Sequence, residues 1–172
     1  GMVTSSCFDK VLAKGQGKTR RSYMLRLIAE ILTGNPQETY SNQNMQDGKS
    51  LEVFAKEYYE LHSDVMIQQV GFVKINENIG CSPDGLVGDN GLIEIKCPLA
   101  TTHISTLLDN EVPSEYIPQI QGEMWVCGRQ WCDFISYNPL VSQRPFFCKR
   151  VKRDEKYILE LSVKVNVFVE EM

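Results

Sequence analysis

The chain has 172 residues, of which 42% are hydrophobic and 23% charged, a composition typical of a globular domain with a substantial core. The net charge of −4 counts mildly against a nucleic-acid partner, although metal-binding carboxylates would contribute to it in the metal-free sequence. No run of eighteen apolar residues occurs, which excludes a transmembrane helix, and a signal-peptide pattern is missing.

The N-terminal third of the chain has helical periodicity. A short helix is predicted over Ser6–Lys14, followed by a break at Gly15-Gln16-Gly17, and a longer helix over Thr19–Leu32 that Gly34-Asn35-Pro36 ends. A further amphipathic helix is predicted from about Asn44 to His62, and Glu52 lies at the boundary of its apolar stripe.

Strands follow in the middle of the chain, separated by glycine-rich turns that are typical of hairpins in an antiparallel sheet. The predicted strands are Val65–Ile75, Ile79–Cys81, Gly85–Val87 and Leu92–Lys96.

The C-terminal part alternates helices and strands. Helices are predicted over Thr101–Leu108 and Glu115–Cys127, and strands over Trp131–Tyr137 and Phe146–Val151. The last segment is ambiguous, because valines alternate with polar residues from Leu161 to Val169 as in a strand, while Asp154-Glu155 suits a helix start. The residue pattern alone favours the strand.

Cysteine and histidine give no metal signature. The six cysteines include no C-x-x-C pair, and His62 and His103 lie far apart in the sequence. We interpret the cysteines as buried free thiols of a protein in a reducing cytoplasm. His103 is interpreted as an exposed helix residue.

The segment from Cys81 to Pro98 carries the chemistry: CSPDGLVGDNGLIEIKCP. In the strand Leu92–Lys96, Glu94 and Lys96 point to one face while Ile93 and Ile95 point to the other. Two carboxylates, Asp84 at the turn and Glu94 on the strand, with an ammonium beside them, are what hydrolysis of a phosphodiester with a divalent metal requires. Each residue alone also has a structural interpretation, as a turn aspartate or an exposed strand pair.

The order of several sequence blocks is similar to that of lambda-type phage exonucleases, also called YqaJ-like viral recombinases, within the PD-(D/E)xK nuclease superfamily. The central matches are SPDGL at Ser82–Leu86, LIEIKCP at Leu92–Pro98 and YIPQIQGEMWV at Tyr116–Val126, and a weaker one is VTSS at Val3–Ser6. The resemblance implies one nuclease domain over residues 1–172, an α/β (α+β) fold with a restriction-endonuclease-like central mixed sheet flanked by helices, and a helix for the last segment.

The resemblance also implies the roles of the site residues. Asp84, Glu94 and the main-chain carbonyl of Ile95 would hold Mg²⁺ or Mn²⁺, and Lys96 would be the catalytic lysine. Glu52 would complete the acidic site, and Gln119 would approach the attacking water and the lysine. Thr4 and Ser6 form the Thr-x-Ser block that is expected to contact DNA.

The implied activity is stepwise 5′-to-3′ degradation of one strand of linear duplex DNA, leaving a 3′ single-stranded tail for phage homologous recombination in the host cytoplasm. The implied partners are DNA ends, a single-strand annealing protein and two further copies of the chain in a trimer. One departure is that the arginine expected shortly before Thr4, which contacts the 5′-phosphate, has no counterpart here. It leaves recognition of the DNA end open.

Two other functions remain compatible with the sequence. One is a PD-(D/E)xK endonuclease or resolvase that cuts internally, and the other is a DNA-end-binding recombination adaptor without catalysis. The basic clusters near both ends of the chain are either DNA-facing or simply solvated surface.

Overall fold

The computed structural model describes residues 1–14, 17–37 and 43–172, with the backbone alone for 43–49. The predicted break at Gly15 and Gln16 therefore lies outside the described residues. The elements in chain order are β1 (Val3–Thr4), a 3₁₀ turn (Ser5–Cys7), α1 (Phe8–Leu12), α2 (Lys18–Thr33), α3 (Gln43–Ser63), β2 (Ile67–Gln68), β3 (Val73–Lys74), β4 (Ile79–Cys81), β5 (Gly85–Val87), β6 (Gly91–Lys96), α4 (Ala100–Asp109), a 3₁₀ turn (Ser114–Tyr116), α5 (Ile117–Cys127), β7 (Trp131–Tyr137), β8 (Phe146–Lys152) and α6 (Glu155–Glu170).

A five-stranded mixed sheet in the order β2-β5-β6-β7-β8 forms the centre of the fold. The β5–β6 and β7–β8 pairs are antiparallel, whereas β6 and β7 run parallel, because α4 and α5 provide the long crossover that a parallel pair needs. Strands β1, β4 and β3 form a separate small sheet. The predicted central mixed sheet flanked by helices is confirmed.

The alternation of side chains along β6 sorts them between two apolar layers. Leu92 packs with Ile120 and Met124 of α5, whereas Ile93 and Ile95 pack on the opposite face, against α3. Glu94 and Lys96 follow the parity of Leu92 and therefore face α5. This strand is buried along most of its length, which fixes the register of the acid and the lysine.

The strand prediction for the last segment is wrong, because Glu155–Glu170 is a helix. Its buried positions, Ile158, Leu161, Val165 and Phe168, recur at helical spacing, and Phe168 stacks on Tyr23 of α2 with ring centroids 5.5 Å apart. Asp154 caps the first turn by accepting a hydrogen bond from Tyr157 N–H at 3.0 Å. Burial of one face and the cap outweigh the strand preference of the valines.

Four smaller predictions need correction. The proposed strand Val65–Ile75 contains only two short strands, and the proposed helix Ser6–Lys14 divides into a 3₁₀ turn and α1. His103 is completely buried rather than exposed, with Nδ1 2.7 Å from Ser136 Oγ and Nε2 2.9 Å from the Arg144 carbonyl oxygen. The cysteines are free as predicted, but Cys148 is exposed.

Candidate active site

The β5–β6 hairpin brings Asp84 beside Glu94. Asp84 immediately precedes β5, and Gly85 pairs with Ile93 of β6. The Ile95 N–H donates a hydrogen bond to Asp84 Oδ2 at 2.7 Å, and the Asp84 and Glu94 side chains are close enough to share a hydrogen bond. Because a paired strand residue points its N–H and C=O to the same side, the Ile95 carbonyl also faces Asp84.

Glu94 and Lys96 form an ion pair that Gln119 of α5 holds in place. Lys96 Nζ lies 2.6 Å from Glu94 Oε1 and donates to Gln119 Oε1 at 3.1 Å, while Gln119 Nε2 donates to Glu94 Oε1 at 2.7 Å. The ring of Tyr116 lies 5.1 Å from Lys96 Nζ and supports the ammonium from the side. The lysine is therefore held in position before any substrate arrives.

Glu123 is a third acid in this cluster, and the sequence analysis missed it. Its side chain is fully buried, and Oε1 accepts hydrogen bonds from Gln119 Nε2 at 3.0 Å and Ser5 Oγ at 3.2 Å. Oε2 is buried and has no hydrogen-bond partner among the described residues. The signal was available: Glu123 follows Gln119 by four positions, so both project from one face of α5.

Burial raises the pKa of all three acids, and repulsion between carboxylates adds to it at Glu94 and Glu123. Burial, aided by the charge of Asp84, raises the pKa of Glu94 to about 7 against the attraction of Lys96. Burial and the nearby Glu94 raise the pKa of Glu123 well above its ordinary value, and burial also raises the pKa of Asp84. Burial opposes the charge of Lys96, but the surrounding carboxylates outweigh it and raise its pKa, so the lysine stays an ammonium.

The donor set fits a hard divalent cation. Three carboxyl groups lie around the Lys96 ammonium, and the charge of Lys56 also acts on Asp84. Such oxygen-only ligands are those that Mg²⁺ and Mn²⁺ prefer, and the buried Glu123 Oε2 has no hydrogen-bond partner among the described residues. No group of three His, Cys, Asp or Glu side chains within the described residues already has the arrangement of a metal cage.

The other predicted site residues lie around this cluster. Glu52 is partly buried on α3, and its charge acts on Cys97, the residue after β6. The hydroxyl oxygens of Thr4 and Ser6 lie 3.2 Å from each other at the turn before α1, where Ser6 is exposed. Ser5, between them, points inward to Glu123. Through Ser5, the Thr-x-Ser block is linked to the acidic cluster.

A mixed sheet between helices, with an aspartate before one hairpin strand and Glu-x-Lys on the next, defines a restriction-endonuclease-like nuclease fold. The profile of the YqaJ-like viral recombinase domain matches residues 1–130. The chain therefore belongs to the YqaJ-like viral recombinase family. Among curated proteins, none matches this chain.

Solved structures agree with this assignment. The alkaline exonuclease from Laribacter hongkongensis is 40% identical, with a TM-score of 0.93 over 99% of this chain and 87% of that one, and its complex with dAMP gives the same values. A phage-related exonuclease from Haemophilus somnus 129PT shares the fold at 19% identity, with a TM-score of 0.77 over 98% of this chain and 92% of that one. No helix among the described residues is long and apolar enough to cross a membrane.

Proposed function

We propose that this protein is a metal-dependent 5′-to-3′ exonuclease that degrades one strand of linear double-stranded DNA and leaves 3′ single-stranded tails for phage homologous recombination. The observation that carries the proposal is the buried cluster of Asp84, Glu94 and Lys96, held by Gln119, in a chain that is 40% identical to an alkaline exonuclease. The nuclease domain extends over residues 1–172 in this proposal.

The cation-binding residues in this proposal are Asp84, Glu94 and the carbonyl of Ile95, with Glu52 completing the acidic site. Mg²⁺, or Mn²⁺ in its place, supplies charge neutralisation at the phosphoryl oxygens and lowers the pKa of the water that attacks phosphorus. Glu123 adds a third buried carboxyl group beside these ligands, and a bound cation would favour its ionised form.

Lys96 stabilises the charge that develops on the phosphoryl group, and Gln119 positions it. The ammonium is already oriented by two hydrogen-bonded contacts, so little reorganisation is needed when the phosphate charge grows. Gln119 donates to Glu94 through the same amide group that accepts from Lys96, which fixes the separation of the metal-binding acid and the lysine. Thr4 and Ser6 contact the DNA backbone beside them.

The biological setting of the proposal follows from the family. The substrate is a DNA end in the host cytoplasm, the tail is passed to a single-strand annealing protein, and three copies of the chain form a ring around the duplex. The endonuclease and the non-catalytic adaptor are the competing functions, and each differs from the exonuclease in how it treats a closed circle and a linear duplex.

The test is digestion of a linear, 5′-phosphorylated duplex with separate labels on the 5′ and 3′ ends of one strand. With Mg²⁺, the 5′ label is expected to appear first as a mononucleotide while the 3′ label stays on long fragments, and chelator abolishes both changes. A covalently closed circle is expected to stay intact.

Lys96→Ala and the exposed Lys164→Ala form a matched pair for this assay. The first variant is expected to lose digestion and the second to keep it. Equal digestion with and without chelator would remove the metal-dependent nuclease, and cutting of the closed circle would favour the endonuclease.

A further inference from the structure

An open pocket of about 430 Å³ lies between α1 and α2, outside the acidic cluster. Among the described residues, its lining consists of three cations, a threonine, a serine and a tyrosine, and none of these residues is acidic. The lining residues are Lys10, Lys18, Thr19, Ser22, Tyr23 and Arg26. We call it the basic pocket.

The cations of the basic pocket lack strong protein partners. Neither Lys10 nor Lys18 forms an ion pair within the described part of the chain. Arg26 Nε is buried without a hydrogen-bond partner among the described residues, and the nearest carboxylate oxygen, on Glu30, is 3.9 Å away. By contrast, Arg20 on the same helix donates to Glu171 at 2.7 Å. The pocket thus concentrates three positive charges, and Glu30 is the one acid that pairs with any of them among the described residues.

The remaining groups in the pocket also suit an anion. Thr19 lies in the first turn of α2, where backbone N–H groups have no partner within the helix and the dipole is positive, and this turn contains no acid. The ring of Tyr23 holds two of the cations, with Arg26 Cζ 5.0 Å and Lys10 Nζ 5.8 Å from its centroid. These contacts fix the cations around a common space.

The basic pocket is connected to the acidic cluster by a single turn of chain. Ser5 Oγ donates to Glu123 in the cluster, and two residues later Cys7 Sγ lies 3.7 Å from Lys10 Nζ and 3.9 Å from Arg26 Nη2. Since consecutive Cα atoms are about 3.8 Å apart, the Cα atoms of Ser5 and Cys7 are within about 8 Å. The acidic cluster and the basic pocket are therefore attached to neighbouring residues of one short segment.

We propose that the basic pocket binds a backbone phosphate of the DNA substrate, a different phosphate from the one that is cleaved. This inference rests on the proposed function, because it takes the acidic cluster as the place of cleavage. The pocket sets the register of the strand, and Lys10 and Arg26 are the residues that contribute most of the contact.

The test measures binding of a duplex with one recessed 5′ end in the non-cleaving Lys96→Ala background with Mg²⁺. Lys10→Gln/Arg26→Gln removes two pocket cations, and Lys156→Gln/Lys164→Gln removes two exposed cations of α6 as the charge-matched control. Loss of the phosphate contact predicts about 10- to 100-fold weaker binding and a salt slope smaller by about one for the first variant only.

A neutral methylphosphonate placed at one backbone position at a time identifies the phosphate. One position is expected to weaken binding by about tenfold with an intact pocket and to have no effect in Lys10→Gln/Arg26→Gln. If the double variant has a lower Tm, the same binding measurement is made with Lys18→Gln, which removes a pocket cation at an exposed position. Weaker duplex binding than the control is expected for this variant as well.

Two results would overturn the inference: duplex binding by the pocket variant equal to that of the control, or methylphosphonate penalties that are the same in both proteins at every position. The second result is also what a pocket for the released mononucleotide would give. Failure of the wild-type protein to digest the linear duplex would instead refute the proposed function.

Discussion

Replacement of Glu94 by Gln is expected to stabilise the metal-free protein while abolishing cleavage. Glu94 is 2% exposed, and a pKa of about 7 in place of 4.5 corresponds to about 3 kcal/mol in favour of its protonated form. Glutamine resembles that form: its oxygen can keep the hydrogen bond from Gln119, and its amide can donate to Asp84.

The size of the stabilisation by Glu94→Gln depends on pH. Because the pKa of Glu94 is raised in the folded state, the stability that it contributes is fully present below about pH 4.5 and is lost as the pH rises through about 7. The Gln variant does not lose it. At pH 8.5 with chelator, we expect a gain of about 3 kcal/mol, or roughly 6–12 °C in Tm for a chain of this size, and almost none at pH 4.5.

Thermal unfolding across this pH range, with Glu160→Gln as a control at an exposed position of α6, measures the effect. Added Mn²⁺ is expected to raise the Tm of the wild type at pH 8.5 and not that of Glu94→Gln, since the cation stabilises the state that binds it. A lower Tm for Glu94→Gln at pH 8.5 with chelator would refute the reasoning, because the ion pair with Lys96 would then outweigh burial.

Three further substitutions test the site and the fold. Lys96→Ala is expected to keep duplex binding and lose about 10²–10³-fold in cleavage rate, and robust cleavage with Mg²⁺ would contradict its role. Gly122→Val is expected to destabilise by at least about 2 kcal/mol in chemical denaturation, because even a Cβ at Gly122 would lie 2.4 Å from the buried Phe8 ring; unchanged stability would contradict this packing. Val165→Ala is expected to cost about 2 kcal/mol and the exposed Val163→Ala less than about 0.5, whereas equal costs would indicate a strand.

The β5–β6 hairpin was predictable because its signals are local. The Asp89-Asn90-Gly91 turn and the alternation Ile93–Glu94–Ile95–Lys96 fix both the pairing and the face of each side chain, and the structure has both. The metal-binding roles of these residues stay a prediction.

What the sequence pattern missed depends on contacts between distant segments. The alternating valines of α6 favoured a strand, but Val165 is buried against a core that α2 and α5 contribute, which periodicity within the segment does not reveal. His103 is buried because Ser136 and the Arg144 carbonyl are brought to it from β7 and the following loop. Glu123 lies on the same face of α5 as Gln119, which the local spacing indicates, but its contact with Ser5, 118 positions earlier in the chain, is not visible in that pattern.

The most direct test of the central claim is anomalous diffraction from a crystal soaked in Mn²⁺ at pH 8. The account predicts one strong peak bounded by the carboxylates of Asp84 and Glu94 and the carbonyl of Ile95, with Lys96 beside it. A fully soaked crystal with no peak there, or with manganese bound only elsewhere on the protein, would contradict the account.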